Sequence, residues 1–221
     1  MIQEDQTAYI KGRFIGFSAR TILDIFEYCE NSNDPQILLF CDFEKAFDSV
    51  EWNFLFKTLE KFNFGENFMR WVKILYTDPI FRVKNNGWIS KTCKMSRGIR
   101  QGCPISALLF IFATEILACN IRSNKDIDGF KIKEMKQEIK IIQHADDCTL
   151  PVKNEHSLHE ALNTIDNFCK HSGMKLNKYK TECLLLGSLK GTANEIFQIK
   201  VNENSVKSLG IYTSDITNRM S

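Results

Sequence analysis

The segment KIIQHADDCTL, Lys140 to Leu150, holds two adjacent aspartates, Asp146 and Asp147, at the centre of an apolar run. Neighbouring carboxylates repel each other, and burying an unpaired charge is unfavourable. Two strands joined by a tight turn would raise both aspartates to the edge of a sheet, where solvent or ions reach them. The segment therefore predicts a β-hairpin whose tip carries two acids.

A third carboxylate follows another apolar run. QILLFC is a short continuous apolar stretch, typical of a strand covered on both faces, and Asp42 comes directly after it. If the two strands are neighbours, Asp42 faces Asp146 and Asp147, and three close carboxylates require cations. Hard divalent ions that take oxygen ligands, such as magnesium, fit this need. Two such ions about 3.5–4 Å apart stabilise the entering and leaving oxygens of a phosphoryl transfer. In the alternative interpretation, Asp42 caps a helix and the aspartate pair forms a polar turn.

The order of the elements predicts an α+β fold. A strand, helices, a hairpin, another helix and another strand fit a split β-α-β arrangement, an antiparallel sheet with helices on one face. PIFRVKNNGWISKTCKM indicates a second hairpin that turns at Asn86–Gly87. The apolar segment from about Ile105 to Ile121 contains Glu115 and is short for a membrane span. We therefore expect a buried helix there and no membrane partner.

The cysteines and the basic loops say less about function. Eight cysteines are scattered with no C-x-x-C pair, which predicts reduced thiols in an intracellular protein, either nuclear or cytoplasmic. The turn-rich loop SRGIRQGCPIS, with Arg97 and Arg100, opens the apolar helix. Its backbone amides and arginines could approach phosphates or a flat base, although such loops are usually structural.

Five segments, taken in order, resemble the successive motifs of a reverse transcriptase. They are LLFCDFEKAFDSV, SRGIRQGCPISALLF, IIQHADD, SGMKLNKYKTECLLLG and KSLGIYTS. The chain is most similar to the enzymes of non-LTR (LINE-type) retrotransposons, and DQTAYIKGRFIG resembles the fingers motif that precedes the palm in that group. The likeness runs from about Asp5 to about Ser214, nearly the whole chain.

The resemblance implies one reverse transcriptase domain over residues 1–221, its fingers–palm portion. Residues 1–35 and about 52–100 would be fingers-like, and residues 36–51 and about 101–190 would form the palm. Residues 191–221 would end the palm with a hairpin like the primer grip. We expect no thumb, endonuclease domain or zinc-knuckle tail in this chain, as in a piece of a larger polyprotein.

The resemblance also implies an activity and its partners. The chain would be an RNA-directed DNA polymerase that adds deoxynucleotides to a primer 3′-hydroxyl. Its partners would be an RNA template, a DNA primer and a deoxynucleoside triphosphate (dNTP), and its oligomeric state stays open. The implied cofactor is a pair of Mg²⁺ ions, with Mn²⁺ as a possible substitute.

Individual residues match the family motifs. Asp42, Asp146 and Asp147 match the catalytic, metal-binding aspartates, and the carbonyl of Phe43 is the implied backbone ligand. Phe47 matches the aromatic gate that clashes with a ribose 2′-hydroxyl. A core phenylalanine is about as plausible at this position.

Further matches concern the nucleotide and the template. Gln101 and Gly102 match the loop that contacts both, and Arg100 beside them is a candidate phosphate contact. Lys180 is the candidate proton donor to the leaving pyrophosphate, with Lys178 as the runner-up. The resemblance places Lys11 and Arg13 in the basic fingers segment that grips the triphosphate, and the alternative is plain surface charge. LGIY, Leu209 to Tyr212, resembles the primer-grip hairpin.

Two other functions stay open. One is a degenerate palm that holds an RNA–DNA duplex or a partner without polymerising. His144 stands where the family has a tyrosine or phenylalanine, which could change primer packing. The other is a metal-dependent phosphohydrolase, which generally needs more histidine ligands than the four in this chain, three of them on or beside one helix.

Overall fold

The computed structural model describes residues 1–132, 138–202, 206–209 and 211–212. The helices are α1 (Ile15–Ser32), α2 (Ala46–Ser49), α3 (Trp52–Lys61), α4 (Glu66–Leu75), α5 (Ser106–Ser123) and α6 (Glu155–Ser172). The strands are β1 (Gln36–Cys41), β2 (Ile80–Phe81), β3 (Lys84–Asn85), β4 (Trp88–Ile89), β5 (Cys93–Lys94), β6 (Phe130–Lys131), β7 (Glu138–Ile139), β8 (Ile142–His144), β9 (Asp147–Val152), β10 (Glu182–Leu186), β11 (Glu195–Ile196), β12 (Ile199–Asn202), β13 (Lys207–Ser208) and β14 (Ile211–Tyr212).

A six-stranded sheet in the order β11-β12-β10-β1-β9-β8 organises the described residues. All of its neighbours are antiparallel except β10 and β12, which run parallel. The central strand β1 pairs Cys41 with Cys148 of β9 on one side and Phe40 with Glu182 of β10 on the other. The α+β fold class is therefore confirmed, with an antiparallel-dominant sheet and the β8–β9 hairpin beside β1.

Strand β1 is buried on both faces, as its continuous apolar run predicts. Ile37, Leu39 and Cys41 belong to the larger core, which includes residues of α3, α5 and α6. Leu38 and Phe40 belong to a second core with residues of α1. The expectation that helices cover only one face was too simple, because an all-apolar strand has no polar face to leave in water and α1 covers the second side.

Helix α5 is the apolar helix of the sequence. By length and composition alone, α5 is long and apolar enough to cross a membrane. In the structure it packs between α3 and α6 and buries residues such as Phe110, Leu117 and Ile121. Its buried acid, Glu115, is 1% exposed and pairs with Arg122. This packing agrees with the prediction of a buried core helix.

Two smaller hairpins lie outside the main sheet. Strands β3 and β4 turn at Asn86 and Gly87, whose φ angles of 45° and 85° match the predicted turn. Strands β13 and β14 pair with each other, so Leu209, Ile211 and Tyr212 of the LGIY segment belong to a hairpin. Residues 213–221 of the predicted final segment lie outside the described residues, and the division into fingers and palm stays a prediction.

The N-terminal segment extends the sheet beyond β8. Gln6 forms a parallel bridge with Gln143. The amide of Gln143 donates to the carbonyl of Asp5 (2.8 Å), and the amide of Thr7 donates to the carbonyl of Gln143 (3.0 Å). Ser18 of α1 hydrogen-bonds the Thr7 hydroxyl (2.7 Å). Residues 5–7 are thereby fixed along the strand that leads to the aspartate pair.

Candidate active site

Asp42 and Asp147 lie side by side at one end of the sheet. The last β1–β9 pair is Cys41 with Cys148, and the next step along the two strands joins Asp42 to Asp147. Residues directly opposite in an antiparallel pair have Cα atoms about 4.5–5.5 Å apart and side chains on the same face. Two acids separated by more than a hundred positions are thus brought to one edge.

Asp146 lies in the turn beside them. Strands β8 and β9 pair His144 with Asp147, which leaves Ala145 and Asp146 as a two-residue turn. Ala145 has a φ of 58°, an unusual value for a residue with a Cβ, so the turn needs support from its surroundings. Asp146 and Asp147 are both exposed, as the hairpin prediction requires.

The carboxylates interact electrostatically. Partial burial raises the pKa of Asp147 above its ordinary value, and repulsion from Asp146 raises it further. Attraction to His144 lowers the pKa of Asp147, and repulsion from Asp42 raises it again. These groups therefore lie close enough to influence one another, and a cation bound among them would relieve the repulsion.

The donor set fits a hard divalent ion. Within the parts of the chain that the structure describes, no three His, Cys, Asp or Glu side chains form a close metal-ligand cluster. Magnesium usually binds one or two carboxylates, several waters and substrate phosphates instead of an all-protein cage. The all-oxygen edge formed by Asp42, Asp146 and Asp147 matches that preference. Phe43 is 9% exposed and forms an isolated antiparallel β-bridge with Leu176. This bridge fixes the backbone that follows Asp42.

Gln6 supports the aspartate turn, and the sequence did not single it out. Its side-chain oxygen accepts from the amide of Ala145 (3.0 Å) and from the amide of Ala8 (2.9 Å). Thr7 hydrogen-bonds Nδ1 of His144 through its hydroxyl (2.9 Å). Both lie in the segment DQTAYIKGRFIG, in which the sequence pointed to Lys11 and Arg13 instead. No local pattern predicts which distant amide a buried glutamine will hold.

Lys11 and Arg13 have different surroundings. Lys11 is exposed. The guanidinium of Arg13 donates to the carbonyls of Gln3, Gln6 (2.8 Å) and Ile2 (3.4 Å), and so holds the N-terminal turn. This geometry gives Arg13 a structural role, and its predicted contact with a triphosphate stays a prediction.

Lys180 lies in an exposed turn attached to Asp42. The amide of Asn177 donates to the carbonyl of Asp42 (2.8 Å), and the amide of Asp42 donates to the hydroxyl of Thr181 (3.2 Å). The turn from Asn177 to Thr181 carries Lys178 and Lys180, which are both exposed. The structure therefore brings both candidate lysines to the end of the sheet that holds the carboxylates.

The loop SRGIRQGCPIS is attached beside Phe47. The amide of Ile99 donates to the carbonyl of Phe47 (2.6 Å), and the amide of Gly98 donates to that of Val50 (2.8 Å). Gly98 has a φ of 93°, and a Cβ there would lie 2.8 Å from the carbonyl oxygen of Asp48, so only glycine fits this approach. The loop then exposes three predicted contacts, namely Arg100, Gln101 and Gly102.

Phe47 packs against the core and keeps part of its ring accessible, and its predicted role as a steric gate stays a prediction. It is half-buried in α2, and its ring stacks on Phe110 with centroids 3.9 Å apart. The stacking fixes the ring against a core residue while part of the side chain stays accessible. Such a rigid, partly exposed ring can act as a steric wall.

A cavity of about 620 Å³ lies away from the carboxylates. Its lining includes Asp5, Thr7, Arg13, Arg122 and residues 138–142, and it excludes Asp42, Asp146 and Asp147. Asp146 and Asp147 are exposed to solvent instead, and Asp42 beside them is half-buried.

The fold and this edge define a class of protein: a palm-type α+β domain whose central strand and adjacent hairpin carry acids at one end of the sheet. The chain matches the family of reverse transcriptases (RNA-dependent DNA polymerases) over residues 1–213. It belongs to that family, and its relatives identify it as a domain of the non-LTR retrotransposon type.

Two relatives illustrate the relationship. An uncharacterised 149 kDa protein of the transposon TX1 from Xenopus laevis is 30% identical over 97% of this chain and 16% of its own length. A retrovirus-related Pol polyprotein of the type-1 retrotransposable element R2 from Popillia japonica is 32% identical over 63% of this chain and 19% of its own length. The chain thus spans less than a fifth of these proteins.

Solved structures agree on the fold. Apo telomerase from Candida tropicalis, truncated from its C-terminal domain, superposes with a TM-score of 0.63 at 14% identity, over 94% of this chain and 39% of that chain. Telomerase from Candida albicans, in a complex with a fragment of telomeric RNA, gives a TM-score of 0.54 at 13% identity, over 90% and 32%. At these identities the likeness concerns the architecture alone.

Proposed function

We propose that the chain is the fingers–palm part of an RNA-directed DNA polymerase that extends a primer 3′-hydroxyl with deoxynucleotides. The observation that carries the proposal is the β1–β9 register, which sets Asp42 beside Asp147 with Asp146 in the adjoining turn. Family membership supports the same reaction. The template would be RNA, and the chain would be part of a longer polyprotein.

Asp42, Asp146 and Asp147, with the carbonyl of Phe43, are the residues that would hold two Mg²⁺ ions, or Mn²⁺ in their place. Divalent ions bound there would supply charge neutralisation for an in-line phosphoryl transfer. The protein's own contribution is to fix the carboxylates at one edge, through the strand register and through the Gln6 support of the turn. Burial and repulsion from Asp146 raise the pKa of Asp147, and a cation bound there would relieve the repulsion.

The reaction exchanges one phosphorus–oxygen bond for another. The primer 3′-oxygen forms a bond to the α-phosphorus of the dNTP, while the bond from that phosphorus to the leaving pyrophosphate breaks. The hydroxyl proton passes to solvent, and Lys180, on the turn attached to Asp42, donates a proton to the pyrophosphate. Lys178 on the same turn is the alternative donor.

Other residues would select and position the nucleotide. The half-buried ring of Phe47, stacked on Phe110, would block a ribose 2′-hydroxyl. Arg100, Gln101 and Gly102 lie in the loop attached to Phe47 and would contact the incoming nucleotide and the template base. Copying must work on any sequence, so most template and primer contacts would be to the backbone.

The state of the cysteines bears on the cellular location. The eight cysteines are free thiols, and four of them, Cys29, Cys41, Cys148 and Cys183, are buried as small apolar residues. We propose an intracellular protein on this basis, in the nucleus or the cytoplasm. The phosphohydrolase alternative is weakened because three histidines, His156, His159 and His171, lie on α6, and no described histidine joins the aspartates in a group of metal ligands.

A pyrophosphate-release assay tests the proposal. The protein is given a DNA primer annealed to an RNA template, Mg²⁺ and the one complementary dNTP, with Asp146→Asn as the control. If the chain is a polymerase, we expect one pyrophosphate for each nucleotide added to a primer. The variant should release no pyrophosphate above background. Release of phosphate without pyrophosphate would indicate a phosphohydrolase, and no release with retained duplex binding would indicate a binding-only palm.

A further inference from the structure

A two-stranded ribbon, residues 80–94, extends between α4 and the loop that precedes α5. Strands β2 and β5 form its base, and β3 and β4 form its tip. The pairing shifts by one residue between Ile80↔Lys94 and Lys84↔Ile89, which indicates a bulge on the returning strand. Every residue from Ile80 to Lys94 is exposed. An isolated two-stranded hairpin is marginally stable in water, so this ribbon suits a surface that is completed by a partner.

The ribbon carries charge of one sign. Arg82, Lys84, Lys91 and Lys94 lie within it, and the sequence from 79 to 97 contains no aspartate or glutamate. None of the ion pairs among the described residues involves these four side chains. Among the described residues, Arg82 donates to the hydroxyl of Thr92 (3.0 Å). The cations are therefore available to an anionic partner.

Exposed rings accompany these cations. Trp88 at the tip is 84% exposed, and Phe81 in the base is 44% exposed. Cations interleaved with accessible rings match the way proteins hold single-stranded nucleic acid, where lysines and arginines contact phosphates and rings stack on unpaired bases. A duplex offers no free base face to such rings.

The base of the ribbon leads towards the carboxylates. The amide of Met95 donates to the carbonyl of Pro79 (3.0 Å), which closes the ribbon. The chain then runs directly into Gly98 and Ile99, which are hydrogen-bonded to Val50 and Phe47. A strand held on the ribbon would therefore approach the nucleotide site from the side of Phe47.

We infer that the ribbon binds single-stranded nucleic acid, the unpaired strand that leads to the polymerase site. Stacking on Trp88 and Phe81 and phosphate contacts from the four cations supply the binding. The inference rests on the proposed function and names one further surface for its nucleic-acid partner. A second copy of the chain fits less well, because the cations of two ribbons would repel each other. A protein that packed on the exposed rings would have to bury these cations.

Equilibrium binding of a fluorescein-labelled oligouridine, followed by anisotropy without dNTP or metal, tests the stacking. We expect Trp88→Ala to weaken binding about tenfold, because one stacked base is lost. Trp88→Phe, which keeps a ring, should bind nearly as well as the unchanged protein. Trp71→Ala removes a ring that is 68% exposed on α4 and is the matched control, with unchanged binding.

The salt dependence of the same binding tests the phosphate contacts. Each contact to a single strand contributes about 0.7 to the slope of log affinity against log salt concentration. Replacing Lys84 and Lys91 together by glutamine should therefore reduce the slope by about 1.4. The same replacement of Lys125 and Lys170, exposed lysines outside the ribbon, changes the net charge equally and should leave the slope unchanged.

Two results would overturn the inference. One is oligouridine affinity that Trp88→Ala and the Lys84/Lys91 variant leave unchanged. The other is loss of self-association in these variants, measured by sedimentation, with no change in oligouridine binding, which would assign the ribbon to a protein contact. Because dNTP and metal are absent from the binding assay, failure of the ribbon inference is separable from failure of pyrophosphate release.

Discussion

Gln6 holds the backbone of Ala145, 139 residues away, through a hydrogen bond of 3.0 Å from the amide of Ala145 to the glutamine side-chain oxygen. The glutamine is 1% exposed, so water does not compete for this contact. Ala145 has a positive φ and is followed by Asp146 and Asp147. The first residues of the chain thus position the acidic turn of the palm.

Replacing Gln6 by alanine should impair both stability and catalysis. The change leaves the amides of Ala8 and Ala145 without their acceptor, and an unsatisfied buried group costs about 1–3 kcal/mol. The turn would also lose its support, and a small misplacement of a catalytic group can reduce the rate by about a hundredfold. Urea unfolding and single-nucleotide incorporation measure the two effects.

Gln3→Ala is the matched control, since that side chain is exposed and lies three residues earlier in the same segment. It should leave stability and incorporation unchanged. A Gln6→Ala variant that is as active as Gln3→Ala would show that the turn does not depend on this hydrogen bond.

Removing the cation from a buried charge network should destabilise the fold. Arg122 bridges Asp5 and Glu115, whose side chains are 15% and 0% exposed. Arg122→Met leaves two carboxylates without their partner, and breaking such a pair costs about 3 kcal/mol or more. Arg20→Met breaks an exposed pair with Asp24 and should cost less than about 1 kcal/mol.

The pH dependence of that variant follows from Glu115. Burial raises the pKa of Glu115 above 4.5, although the hydrogen bond from Arg122 opposes the rise. A carboxyl whose pKa is raised by folding binds protons more tightly in the folded state, so its contribution to stability falls as pH rises through the folded pKa. Loss of Arg122 raises this pKa further. The stability difference between the unchanged protein and Arg122→Met should be largest near neutral pH and shrink as pH falls through the raised pKa of Glu115. A difference independent of pH would contradict the assignment.

Phe47→Ala should relax discrimination between deoxynucleotides and ribonucleotides. Loss of the ring opens space for a 2′-hydroxyl, and we expect the ratio of kcat/KM values for the two nucleotides to fall about tenfold or more. Phe54→Ala removes another half-buried ring, which packs on Phe168, and controls for lost packing. If both variants lose stability and neither changes the ratio, Phe47 is a core residue only.

The interaction between the carboxylates can be tested without catalysis. Because repulsion from Asp146 and Asp42 raises the pKa of Asp147, Asp42→Asn and Asp146→Asn should each lower that pKa, with the larger change in Asp146→Asn. Carbon NMR titration of the metal-free protein measures it. Asp166→Asn, an exposed change on α6, should have no effect. A pKa of Asp147 that does not respond to Asp42→Asn would mean that the two carboxylates are farther apart than the strand register implies.

Local patterns predicted the parts of the site that depend on one segment. The apolar run before Asp42 is a buried strand, the IIQHADD segment is a hairpin with Asp146 at its turn, and Asn86–Gly87 is a turn. These features follow from hydrophobic continuity and from the backbone preferences of short turns, which operate within a few residues.

Long-range partners could not be predicted in the same way. Nothing near Gln6 indicates that it extends the sheet beside Gln143 or accepts from Ala145. Arg13 belongs to a motif associated with triphosphates, yet its guanidinium is occupied by backbone carbonyls. Helix α1 covers the second face of β1. The apolar run of β1 does not indicate which helix covers which face, because the packing of the whole domain decides it.

The most direct test of the whole account is single-nucleotide incorporation on a primed RNA template with Mg²⁺, comparing Asp42→Asn, Asp147→Asn and Asp166→Asn with the unchanged protein. If the two strand-end acids serve one site, both Asp42→Asn and Asp147→Asn should reduce incorporation to background, while Asp166→Asn retains it. Full incorporation by Asp42→Asn or by Asp147→Asn would contradict the shared site at the end of β1 and β9.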